Sequence, residues 1–146
     1  MLFRSAGTEA SWVASADGGL QLGVNSLRTL QAGKSMTFNF GSGAVYGIGG
    51  NFFYSTAVGT PVNGFVALAL ADGTRYVRSV TGIDTFAGFW SDGAAITQLT
   101  ITPVGTTGAS NFLGTNSLDI GFTPVPAPGV LATLALAAAG SRRRRR

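Results

Sequence analysis

The apolar residues of this chain recur every second position, in short runs, and that period constrains the fold more than any other feature. In "SMTFNF" (residues 35–40) Met36, Phe38 and Phe40 share one face and Thr37 and Asn39 the other. In "ITQLTI" (96–101) Leu99 and Ile101 oppose Gln98 and Thr100. A two-residue period sends successive side chains to opposite faces of an extended backbone, so both read as half-buried strands. "AVYGIGGNFF" (44–53), "GFVALALA" (64–71), "RYVRSV" (75–80), "TFAGFWS" (85–91) and "SLDIGF" (117–122) are further runs rich in aromatic or β-branched residues. "ASWVAS" (10–15) reads as an edge strand.

Turn chemistry separates the runs: "DGG" (17–19), "GSG" (41–43), "GTPVNG" (59–64), "DGT" (72–74), "SDG" (91–93) and "GTTGAS" (105–110). Asp72-Gly73 is the strongest local hairpin signal, because that pair accepts the positive φ angles of tight turns. Strands this closely spaced, with no helical pattern between them, predict an all-β body: an antiparallel β-sandwich of jelly-roll-like type. The expected core is Phe38, Phe40, Ile48, Phe52, Phe65 or its neighbours, Phe89, Leu99, Ile101, Leu118 and Ile120. In "TFAGFWSD", Phe86 and Trp90 point one way and Ala87 and Phe89 the other.

At 146 residues the chain holds one such body and a tail. Its formal charge of +4 suggests nucleic-acid binding until the basic residues are located. Five of the ten Lys and Arg are Arg142, Arg143, Arg144, Arg145 and Arg146, so residues 1–141 carry five basic against six acidic groups. Lys34, Arg28, Arg75 and Arg78 are scattered and not interleaved with aromatics, so no nucleic-acid partner is expected. No internal repeat indicates a solenoid or propeller.

Catalytic chemistry has little to draw on. The chain has no Cys and no His, which removes thiolate chemistry, the usual general base near neutral pH and the commonest metal ligand. The carboxylates are Glu9, Asp17, Asp72, Asp84, Asp92 and Asp119; three of the aspartates precede glycine in turns and Asp119 sits in a strand. "GIGGNFF" resembles a phosphate-cradling loop superficially but lacks the following helix and lysine. No catalytic residue, cofactor or metal site is expected, and the chain reads as a non-enzyme. A second reading of the body is a carbohydrate-binding module with Trp90, Tyr46, Tyr54 or Tyr76 as stacking groups, with or without a calcium ion on loop aspartates. Ice binding would want a regular hydroxyl array, which the Thr residues do not display.

The C-terminus has three parts. Residues 123–129 ("TPVPAPG") form a Pro-rich linker, residues 130–141 an apolar segment of good helix formers, and residues 142–146 the arginine cluster. A helix from Gly129 to Ser141 reaches about 20 Å, short of the roughly 30 Å hydrocarbon core. Val130, Leu131, Leu134 and Leu136 supply about −0.3 to −0.6 kcal/mol each toward insertion, so the segment engages a membrane without anchoring there securely. Arginines resist crossing and are held by anionic lipid on the cytoplasmic side, which orients the body outward.

This order of Pro-x-Pro (Val125, Pro126, Ala127, Pro128, Gly129), short apolar helix and arginine cluster resembles the PEP-CTERM sorting signal, also called the ice-binding-protein C-terminal domain. The resemblance covers Val125 to Arg146; Ala127 stands where the family carries glutamate, which keeps the rigid Pro-x-Pro geometry and loses the carboxylate. It implies an exosortase-like membrane transpeptidase as partner, transient residence in the inner membrane, removal of the tail, and a cell-surface or extracellular destination with an exopolysaccharide or surface glycan nearby. "GIGGNFF", "GFWSDGAAITQLTI" and "NSLDIGF" resemble the β-sandwich that often precedes such tails. An exported chain needs an N-terminal signal, and "MLFRSAGTEASW" does not have its pattern, so the expectation is a longer coding sequence upstream and a truncated sandwich.

Overall fold

The computed structural model describes residues 11–41, 44–105 and 111–122, and the backbone of residues 3–6 and of Ser42. Thirteen strands form there: β1 (Phe3–Ala6), β2 (Ser11–Ala16), β3 (Leu20–Leu22), β4 (Leu27–Thr29), β5 (Met36–Ser42), β6 (Gly47–Ser55), β7 (Pro61–Val62), β8 (Gly64–Leu70), β9 (Arg75–Val80), β10 (Thr85–Trp90), β11 (Gln98–Val104), β12 (Phe112–Thr115) and β13 (Asp119–Gly121). The described residues contain no helix. The all-β expectation therefore holds for the body. The linker, the apolar helix and the arginine cluster lie outside the described residues.

The strands make two antiparallel sheets that share one core. One runs β1-β2-β5-β11-β8-β9; the other runs β10-β6-β12-β4-β3, with β13 and β7 also paired to β6. Met36, Phe38, Val66, Leu68, Leu99 and Ile101 from the six-stranded sheet meet Ile48, Phe52, Tyr54, Ala87 and Leu113 from the seven-stranded one, all buried. Six of these eleven side chains come from alternate positions of β5, β8 and β11, which is the two-residue period expressed as one buried face. Each large side chain fully enclosed contributes about 1.5–3 kcal/mol.

Differences from the expected core follow from register. Phe65 lies on the outer face of β8 and is 53% exposed, while its neighbours Val66 and Leu68 are buried. Phe40, Phe89, Leu118 and Ile120 pack against the core without being enclosed. "ASWVAS" does not form an edge: β2 pairs with β5 on one side and β1 on the other. At Asp72-Gly73 only the glycine takes a positive φ, of 91°. Asp72 instead caps the turn, its Oδ1 accepting the Thr74 N–H at 2.8 Å.

Two tyrosines tie the sheets together. The Tyr54 hydroxyl, from β6, donates to the Phe65 carbonyl of β8 at 2.6 Å. Tyr76, from β9, reaches across to Gly88 of β10, its hydroxyl donating to the carbonyl at 3.0 Å and accepting the N–H at 2.7 Å.

Candidate functional site

Strand β10 carries Phe86, Gly88 and Trp90 on its outward face and Ala87 and Phe89 inward. Phe86 is 54% and Trp90 56% exposed, whereas Ala87 is buried and Phe89 packs edge-on against Tyr76 with ring centroids 5.0 Å apart. Two large aromatic rings thus stand on one solvent face, with a glycine between them.

The floor beneath them is also glycine. Trp90 lies directly opposite Gly47, and Gly47 opposite Gly121 on β13. A Cβ placed on Gly47 would come within 2.6 Å of the indole Cε3 and Cζ3, and one on Gly121 within 2.8 Å of Cη2. The six-membered ring of Trp90 therefore rests on bare backbone of two strands and turns its other face to solvent. Phe86 sits the same way over Gly49, where a Cβ would stand 2.6 Å from its Cζ. This is the physical use of Gly47 and Gly49 in "GIGG": the two are seats for rings, at positions where any side chain would lift the aromatics away.

The rings border a shallow cavity of about 380 Å³ that also touches Asp119, Ile120 and Gly88. Asp119 faces solvent opposite Gly49, so a carboxylate flanks an apolar platform. Flat apolar rings plus a hydrogen-bond acceptor suit a ligand with one apolar face and a hydroxyl edge, which describes a pyranose ring.

Of the four residues expected to stack on a ligand, Trp90 is the one with an open ring face. Tyr54 is fully buried, and burial pushes its phenol up to about 12 against the opposing effect of a Val104 backbone hydrogen bond. Its ring cannot meet a ligand. Tyr76 is partly buried with its hydroxyl committed to Gly88. Tyr46 is partly buried in the segment leading to β6, its N–H donating to the Gly121 carbonyl at 2.8 Å and its carbonyl accepting from Ser91 at 2.7 Å. Sequence reasoning passed over Phe86 as a ligand contact, although its i, i+4 relation to Trp90 on a strand places both on one face. The glycine seats were not foreseen; their signal is glycine at alternate positions, 47 and 49, of a strand that ends in three aromatics and a serine.

The aspartates do not converge. No group of three or more His, Cys, Asp or Glu that could hold a metal forms among the described residues. On the outer face of the six-stranded sheet, polar pairs line β5 and β11: Ser35 pairs with Thr102 at 3.1 Å, Thr37 with Thr100 at 3.4 Å and Gln98 with Asn39 at 2.7 Å, while Phe65 and Val77 stand exposed on β8 and β9. The pair of exposed rings seated on glycine belongs to the seven-stranded sheet, and that face is the candidate.

Val125, Pro126, Ala127, Pro128, Gly129, Val130, Leu131, Leu134, Leu136 and Arg142 to Arg146 lie outside the described residues. No protein-family model and no curated protein matches this chain.

Proposed function

We propose that the body is a non-catalytic glycan-binding β-sandwich, and that the tail from Val125 to Arg146 is an exosortase-type sorting signal that places it at the cell surface or in exopolysaccharide. The observation that carries the binding reading is the pair Phe86 and Trp90, half-exposed on one face and seated on Gly47, Gly49 and Gly121. Exposing two such rings forgoes burial worth about 1.5–3 kcal/mol each. A purely structural sandwich gains nothing from that. The sorting reading rests on the order of Pro-x-Pro, apolar segment and five arginines.

Affinity electrophoresis through gels containing polysaccharide tests the first part. Retardation of the native chain, abolished by Trp90→Ala, supports it, and no retardation in any neutral or acidic glycan would refute it. Mass spectrometry of the mature protein from its native host tests the second. Loss of everything after about Pro128 supports sorting, and an intact Arg146 on a secreted molecule would refute it.

A further inference from the structure

Farther along the same outward face, Arg28 of β4, Gly114 of β12 and Phe53 of β6 lie side by side in register. The Phe53 ring packs onto Gly114, the same ring-on-glycine device that seats Trp90. Arg28 and Phe53 border a second cavity, of about 540 Å³, which also touches Ser55 and Asn116. Gly49 and Phe53 are four residues apart on one strand, about 13 Å at 3.3 Å per residue.

Among the described residues, Arg28 is the one charged side chain lining this cavity. Its Nε and Nη2 donate to the Gln21 Oε1 at 3.1 and 2.9 Å, and its guanidinium lies 5.4 Å from the Phe112 ring centroid. Those contacts orient the group without neutralising it, since it makes no ion pair with a described residue. Two further groups await partners. Ser55, 2% exposed, has a buried Oγ with no hydrogen bond, and the buried Oδ1 of Asn116 has none either, while Asn116 Nδ2 donates to the Ile83 carbonyl at 3.0 Å and to Asp84 Oδ1 at 3.3 Å. Buried polar atoms left unpaired are costly and uncommon, and a bound ligand is one way to satisfy them.

We infer that this cavity is a second subsite for the carboxylate-bearing residue of an acidic polysaccharide, with Arg28 holding the carboxylate and Ser55 and Asn116 the ring hydroxyls. The inference rests on the reading of this face as a glycan-binding surface. A guanidinium fixed on one edge offers its remaining N–H groups as a fork to a carboxylate. The apolar Phe53 edge takes the face of a sugar ring. Charge sets the order along the groove: Asp119 beside Trp90 repels a carboxylate there, and Arg28 attracts it here. An oligosaccharide lying along β6 then places a neutral unit on the aromatic platform and an acidic unit at Arg28.

Isothermal titration of the full chain with an oligosaccharide of alternating neutral and glucuronate units, and with the same oligosaccharide whose carboxyl groups have been reduced to alcohols, tests this. The native chain is expected to bind the acidic form about tenfold more tightly at low salt. Arg28→Gln erases that preference, Arg28→Lys restores part of it because charge remains without the fork, and Ser55→Ala weakens both forms. Trp90→Ala weakens both forms alike and leaves their ratio unchanged. If Arg28→Gln keeps the preference, or the native chain binds both forms equally, the subsite is wrong. If Trp90→Ala changes nothing while Arg28→Gln still abolishes the preference, the aromatic platform is wrong and the subsite stands. Binding of neither form sinks both.

Discussion

Tyr76 closes the open edge of Gly88: one phenolic hydroxyl donates to the glycine carbonyl at 3.0 Å and accepts its N–H at 2.7 Å. Strand β10 is the last strand on its side of the seven-stranded sheet, so these two backbone groups face away from β6. An unpaired edge is a template for another strand. A hydroxyl, being donor and acceptor at once, occupies both positions from the neighbouring sheet. The strand so held is the one that carries Phe86 and Trp90.

Tyr76→Phe is therefore expected to lower stability by about 1–3 kcal/mol, since two backbone groups lose their partner. Urea unfolding gives that difference directly. The exposed β10 edge should also raise self-association, seen by light scattering at increasing concentration. An unchanged midpoint and no association would show that water replaces the hydroxyl without cost.

Gly47→Ala and Gly50→Ala separate a seat from a structural contact. At Gly47 the new methyl meets the exposed Trp90 indole, which is free to swing outward, so stability should change by less than about 1 kcal/mol while tryptophan fluorescence and glycan affinity both shift. At Gly50 the methyl meets the Ser117 carbonyl, a backbone group held in place, and the fold should lose about 1–3 kcal/mol. Equal destabilisation by the two variants would contradict the seat.

Tyr54 sets an alkaline limit. Its phenol titrates at about 12 in the folded chain because burial opposes the charged form, and near 10 when unfolded. The folded state holds the proton more tightly, so the contribution is fully present below pH 10 and is lost as the pH rises through 12. That loss is on the order of 2–3 kcal/mol. Urea midpoints measured from pH 8 to pH 12 should fall for the native chain and fall less steeply for Tyr54→Phe. Parallel slopes would assign the alkaline loss to other groups.

Thr29 is fully buried and its Oγ1 has no hydrogen-bond partner. Thr29→Val replaces that hydroxyl with a methyl of similar size, so the midpoint of thermal unfolding should rise, by about 1 kcal/mol in stability. A fall would mean that the hydroxyl is satisfied by buried water.

The strands that were legible in the sequence are those whose pattern is local. "SMTFNF" and "ITQLTI" alternate cleanly, and their inward residues Met36, Phe38, Leu99 and Ile101 are buried. "RYVRSV" coincides with β9. Strands β3 and β4 escaped notice because three residues such as "LQL" and "LRT" give no period to read. The choice between Phe65 and its neighbours stayed open because "GFVALALA" is apolar at nearly every position, so hydrophobicity alone could not choose between its two faces; Val66 and Leu68 are the buried ones.

The chain's own order of residues determined that it would be all-β, where most of its strands lie, and that Phe86 and Trp90 share a face, because each of these depends on neighbours two to four positions apart. Only the tertiary structure decided which face of β8 is inward, that Tyr54 is buried and Trp90 is not, and that Gly47, Gly121 and Trp90 meet. Those facts depend on which strands pair and in what register. Pairing joins residues such as Arg28 and Gly114, more than eighty positions apart, through hydrogen bonds between backbones that carry no trace of side-chain identity.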